Sequence, residues 1–481
     1  MRFNISIILI IITIIALPFM VGINKIFFGF EYEDAFVSSF VASQDNPLDY
    51  SDNYRTQGCH KLIDNKCYIK KTYTGHYITY SLFLKIWDKI FKINPYYLHR
   101  IGNLILYVFT VIFSVFIIKS KRPRSDLNNL IYFFILLSTS IPSIYVLNSS
   151  LIENISISIN ILTIVFIYIE SFERRSLNKV IIIILLSISI IIKRENLIML
   201  PLLALILRYN DLKKKEIILS FSFLIISQTI INPFYTEFIE AEQLEKATFS
   251  IDYLIFQLPQ YLKTFISYNG FLNFSLALII LTRPTLKTFY FIALFFAFII
   301  LYSFHYRSQY AIEDHSISLF ETYRYMTNTT PLLLGAMLFS KNRELLTMKA
   351  LMLFIFIFSY VNSYIKMEDF INEEIRNYHL INERIEDSIK LEENALIIDN
   401  FVLVTLLNLK HKKNIDVLQY ENRNLSRIDT FKYAKIYLIN RFKLIDTSSI
   451  TKRGILLKKI PHFSIDKTDV YEITIKEKDP L

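Results

Sequence analysis

Apolar runs of about twenty residues recur along this chain, and nothing else in it restricts the fold as much. As a helix, a run of that length crosses the hydrocarbon core of a bilayer. The runs fall near 5–28, 100–118, 128–147, 150–170, 179–193, 195–208, 216–232, 268–282, 287–304, 325–340 and 348–365. They account for a mean hydropathy of +0.37 over 481 residues. A soluble chain of this size buries such residues in shorter, periodic pieces. The expected fold is an α-helical polytopic membrane protein with about eleven transmembrane helices. The runs 179–193 and 195–208 are short, as in a tilted pair or a tight hairpin.

Net charge is +10, and its distribution says more than its size. Residues 367–481 hold 19 Lys/Arg and 19 Asp/Glu, so the whole excess lies upstream. A nucleic-acid-binding protein would carry a basic patch on its soluble part, and none is visible. The basic residues gather instead in alternate loops: Lys119 to Arg124, Arg174 and Arg175, Arg208 and Lys213 to Lys215, Arg283 and Lys287, Lys341 and Arg343. The bias of Lys and Arg toward the cytoplasmic side puts these loops inside. The N-terminus is then cytoplasmic, the C-terminal region is exoplasmic, and the location is the plasma membrane. Residues 1–22 resemble a signal peptide, but the apolar run is long and lacks a small-residue cleavage site, so a retained anchor is expected.

The first run ends in Phe30-Glu31-Tyr32-Glu33-Asp34-Ala35-Phe36, followed by a loop over 29–99. Carboxylates at a membrane edge carry a desolvation cost unless they are paired or used, so they point to a functional site. The bland alternative is a solvated acidic cap on a following helix. The same loop holds both cysteines, Cys59 and Cys67. An exoplasmic loop is an oxidising setting and favours a disulfide between them; two free thiols are the alternative. Only His60 adjoins the pair, which is too few ligands for zinc.

Residues 366–394 have apolar positions near helical spacing and read as an amphipathic connecting helix. From Ala395 the texture changes. Strands are expected at 395–399, 415–418, 435–439, 454–458 and 471–475, with helical stretches near 401–410 and 427–434. The domain plan is a membrane module over 1–365, the connector, and a small α/β exoplasmic domain over 395–481. No Gly-rich phosphate loop occurs in that last part.

Several stretches now align. The acidic Glu33-Asp34-Ala35-Phe36 precedes Thr74-Gly75-His76-Tyr77, Ser81-Leu82-Phe83-Leu84, Trp87 and Arg100. Lys193-Arg194-Glu195 stands ahead of Leu200-Pro201, and Arg324-Tyr325 ahead of Pro331. In this layout the chain resembles the GT-C membrane glycosyltransferases, which include the protein O-mannosyltransferase, aminoarabinose transferase and arabinofuranosyltransferase groups. The resemblance covers about residues 1–365. His76-Tyr77-Ile78 stands where the family has His-Pro-Pro, and Glu33-Asp34 inverts the commoner Asp-Glu order.

The resemblance implies transfer of a sugar from a polyprenyl-phosphate donor to an exoplasmic glycan, lipid or protein acceptor, with no nucleic acid involved. It implies Asp34 as general base, with Glu33 in reserve. Such a base accelerates transfer by about 10²–10⁴-fold. The departing lipid phosphate needs cations near exoplasmic span ends, where Arg194, Lys193 and Arg324 are placed. His76 and Arg307 are candidates for substrate binding. A divalent cation is used by some relatives and not by others, so no cofactor is assigned. Lys193-Arg194-Glu195 also has a plainer reading, as a charged hairpin tip that snorkels to water. The competing class is a lipid-linked glycan flippase or secondary transporter, which would place polar residues near the midplane of broken helices.

Overall fold

The computed structural model describes residues 61–63, 66–68, 85–86, 89–90, 95–122, 124–139, 152–203, most of 251–262, 284–304, 329–340, 395–399, 415–420, 433–440, 443, 445–452, 454–460 and 468–475. The chain forms two compact units, one holding the helices and the other the strands. The expected spans 5–28, 216–232, 268–282 and 348–365, the connector 366–394, the stretch near 401–410 and most of that near 427–434 lie outside the described residues.

In the helical unit, α1 (Pro95–Lys121), α2 (Arg124–Thr139), α3 (Ile152–Glu173), α4 (Ser176–Ile192), α5 (Leu286–Ser303) and α6 (Thr330–Leu338) can be traced. Among the described residues three stretches are long and apolar enough to cross a membrane: Gly102–Lys121, Glu153–Glu173 and Leu286–Ser303. Asp126–Ser138 and Ser176–Ile192 are apolar but shorter. These helices are rich in β-branched residues that favour strands in water. In hydrocarbon the helix satisfies every backbone group within the segment, and that requirement overrides the propensity.

Helix ends follow local chemistry. Pro95 opens α1, where a fixed φ suits the first turn, and Lys119 and Lys121 sit at its negative C-terminal end. Thr285 and Thr288 form a reciprocal capping box at the start of α5. Arg174 and Arg175 alone join α3 to α4, so the two helices form a tight antiparallel hairpin. Arg174 makes that turn in the left-handed region, at φ 49°.

α1 divides into two faces. Ile105, Phe109, Ile112 and Phe116 are exposed at spacings of four and three, the pattern of a lipid-facing stripe. On the opposite face Tyr107 meets Ser138 of α2 at 3.0 Å, while at the edge of the stripe Phe113 stacks on Phe109 and packs near Phe166 of α3. α6 is the hub. All nine of its residues are buried, and it packs against α2, α3 and α5. Asn129 of α2 donates to the Met337 carbonyl at 2.8 Å. Gly335 faces Phe291 of α5, where an added Cβ would overlap the ring. The helices approach closely because that side chain is missing.

Of the run 325–340, Thr330–Leu338 is helical, and 325–328 lie outside the described residues. One element departs from expectation. The run 195–208 opens as a 3-10 turn, Arg194–Met199, because the backbone of Lys193 is extended and ends α4.

In the other unit, β1 (Lys61–Ile63) and β2 (Lys66–Tyr68) form a hairpin with Cys67 opposite Leu62; Cys59 lies outside the described residues. The five strands expected further on are β3 (Ala395–Asp399), β4 (Ile415–Gln419), β5 (Lys435–Asn440), β6 (Ile455–Lys459) and β7 (Asp469–Ile475). They form one sheet in the order β4-β3-β5-β7-β6, parallel across β4-β3-β5 and antiparallel at β5-β7 and β7-β6. β3 is buried on both faces, as a central parallel strand must be. A short helix, α7 (Thr447–Thr451), brings Ile450 onto Leu396, Leu438 and Ile473. The Asn440 side chain bonds both backbone groups of Ile445 and fixes the loop leading to α7.

Candidate functional site at the Lys193 break

The α3–α4 hairpin has two polar ends of different character. One is the arginine turn. At the other, the first turn of α3 lies beside the end of α4, and Glu153 meets Lys193. Lys193 Nζ donates to Glu153 Oε1 at 3.0 Å. The two side chains are 4% and 1% exposed, so water barely reaches either. Antiparallel packing explains why these charges stand here. Glu153 occupies the positive N-terminus of one helix, and Lys193 the negative C-terminus of its neighbour. Each charge complements its own helix before the two meet, which offsets part of the desolvation cost.

A closed set of polar bonds extends from the pair into the hairpin. The Asn196 amide donates to Ser156 Oγ at 2.7 Å and to the Ser189 carbonyl at 3.0 Å. Asn160 Nδ2 approaches Asn196 Oδ1 at 3.4 Å, and Ser189 Oγ donates to Asn160 Oδ1 at 2.5 Å. Lys193 N–H also bonds the Ser189 carbonyl, at 3.0 Å. After Lys193 the chain therefore folds back against α3 and α4 instead of leaving the bundle. Tyr290 of α5 holds its continuation by donating to the Pro201 carbonyl at 2.5 Å.

Chemically, the arrangement fixes one cation at the end of a helix with almost no water around it. An ammonium has three donors, one of which the Glu153 carboxylate holds here. Among the described residues no group of three His, Cys, Asp or Glu converges as a metal ligand set would.

Of the residues singled out from sequence, Lys193 is the break itself and Arg194 opens the 3-10 turn beside it. Glu33, Asp34, His76, Arg307 and Arg324 lie outside the described residues. The plainer reading of Lys193, a tip that snorkels to water, does not fit its burial. Sequence reasoning passed over Glu153, Ser156, Asn160, Ser189 and Asn196. A signal for part of this set was present. Glu153, Ser156, Asn160 and Thr163 recur at three and four residues, so one face of an otherwise apolar helix is polar and buried. The centre of this span is thus less apolar than expected, though its charges do stay near the ends. No family model matches the chain, and no curated protein matches it.

Proposed function

We propose that the protein is a membrane glycosyltransferase of the GT-C type, moving a sugar from a polyprenyl-phosphate donor to an exoplasmic acceptor. The observation that carries this reading is the buried Lys193, oriented by Glu153 at the hairpin end remote from the arginine turn. A donor lipid would bring its phosphate within the membrane to a cation already in place. Preorganised charge of this kind stabilises a leaving anion without reorganisation during the reaction.

In the proposed reaction an acceptor hydroxyl or amine attacks the anomeric carbon and gives its proton to the Asp34 carboxylate. The bond from that carbon to the phosphate oxygen breaks, and the phosphate departs with the electron pair. Lys193, with Arg194 and Arg324, neutralises the departing charge. Asp34 and Glu33 enter through the resemblance of the first loop, His76 and Arg307 as substrate contacts.

The deciding experiment replaces Asp34 by Asn and Glu33 by Gln separately. Sugar transfer from polyprenyl-phosphate donors is then assayed in membranes. Asp34→Asn is expected to lower kcat by about 10²–10⁴-fold. Full activity in both variants would sink the reading.

One observation favours a second reading, a lipid-linked glycan flippase or secondary transporter. The network of Asn160, Asn196, Ser156 and Ser189 lies inside the bundle where α4 is broken, and broken helices with polar linings form transporter sites. Movement of a lipid-linked glycan across proteoliposomes, with no sugar transferred, would support it over the enzyme.

A further inference from the structure

The opposite end of the α3–α4 hairpin carries a different chemistry. We infer that it binds the phosphate of an acidic phospholipid, held between Lys121 and Arg175. Lys121 Nζ lies 2.7 Å from Glu173 Oε2, and Arg175 Nε lies 3.3 Å from the same oxygen. Two cations thus share one carboxylate oxygen, and the trio keeps a net positive charge. Arg175 presents Nε to Glu173, and its side chain is 67% exposed. With Nε engaged, its two terminal nitrogens can offer the fork that suits a phosphate.

The surroundings distinguish a lipid from a soluble anion. Lys121 ends one membrane-length stretch and Glu173 ends another, which is the depth of the headgroups. Beside the cations, Phe172, Leu177 and Val180 are each at least half exposed. A phosphodiester bearing acyl chains would cover both the charge and this apolar flank, whereas a free phosphate would cover the charge alone. Phe172 is also held in place. The Arg122 guanidinium lies 3.4 Å from its ring centre while bonding Asp126 at 3.1 Å. Asp126 in turn accepts from Tyr168 at 2.6 Å, and the Tyr168 ring stands edge-on to Phe172. The apolar wall is therefore braced by a neutralised arginine, separate from the Lys121–Arg175 pair. This inference does not depend on the transferase reading, because the site lies at the far end of a helix about 30 Å long.

The test uses the full chain in nanodiscs of phosphatidylcholine, alone or mixed three to one with phosphatidylglycerol, and counts retained lipids by native mass spectrometry. The wild type is expected to retain phosphatidylglycerol preferentially. The Lys121→Gln/Arg175→Gln variant is expected to lose that preference, by about fivefold for each cation removed. Lys121 also ties α1 to α3, so that variant can fail for structural reasons. Glu173→Gln supplies an independent reading: without the competing carboxylate, retention should rise several-fold. Glycerol 3-phosphate, which has the charge but no chains, should not displace the lipid. An unchanged preference in both variants overturns the inference, and displacement by glycerol 3-phosphate overturns it in favour of a free-anion site.

Discussion

Lys193 and Glu153 show how a buried ion pair can be tolerated and what it makes vulnerable. Removing either partner leaves a charge with nowhere to go, because both side chains are almost fully enclosed. Lys193→Met is expected to destabilise the detergent-solubilised protein by about 3–5 kcal/mol. Adding Glu153→Gln should restore most of the loss, because a neutral pair has no stranded charge. Denaturant titration of the two variants checks this; a double variant as unstable as the single one would refute it. The same pair of proteins separates structure from function. If Lys193 also meets the donor phosphate, the double variant regains stability but keeps a raised KM for the donor. A recovered KM would leave the lysine a structural role only.

At the scale of elements, the helical unit depends on how closely α5 approaches α6. Gly335→Ala would force the enclosed Phe291 ring to move, and that ring is stacked on Phe339 at 5.5 Å. Overpacking of this kind costs about 1–3 kcal/mol, set against about 1 kcal/mol gained from alanine's helix propensity, and the severe overlap here puts the cost at the upper end. A lower melting temperature, regained when Phe291→Leu is added, is the expected result. In the sheet, Lys459 Nζ lies 2.6 Å from Asp469 Oδ1, which raises the lysine above its usual range. A raised lysine contributes stability that is complete below its ordinary value of 10.5 and is lost as pH climbs through the raised one. The stability gap between wild type and Lys459→Met should therefore be flat from pH 7 to about 10 and shrink above. A gap that persists at higher pH would refute the pairing. The strands were readable because apolar runs such as Leu396-Ile397-Ile398 and Ile436-Tyr437-Leu438 are short and bounded by polar residues. The break at Lys193 was readable only as a charge between two apolar runs. That Asn196 turns back to bond Ser156 and Ser189 depends on residues about forty and seven positions away, which no local pattern encodes.

For the whole molecule, the two ends of the α3–α4 hairpin divide the labour. One end gathers Lys121, Arg122 and Arg175 around Asp126 and Glu173; the other buries Lys193 with the Glu153 carboxylate. A polytopic chain needs such an asymmetry, because an excess of Lys and Arg holds a loop on the cytoplasmic side during insertion. The bias predicts that the arginine turn faces inward and the Lys193 break outward, where donor phosphate and acceptor would meet. Single cysteines test this in a background with Cys59 and Cys67 replaced by Ser. Ser176→Cys, exposed at the start of α4, should react with a membrane-impermeant maleimide only after cells are permeabilised. Leu197→Cys, half exposed in the 3-10 turn, should react on intact cells. The reversed pattern would move the proposed site to the cytoplasmic face, where an exoplasmic acceptor could not reach it. Labelling of both from one side would mean that the hairpin enters the membrane and returns without crossing.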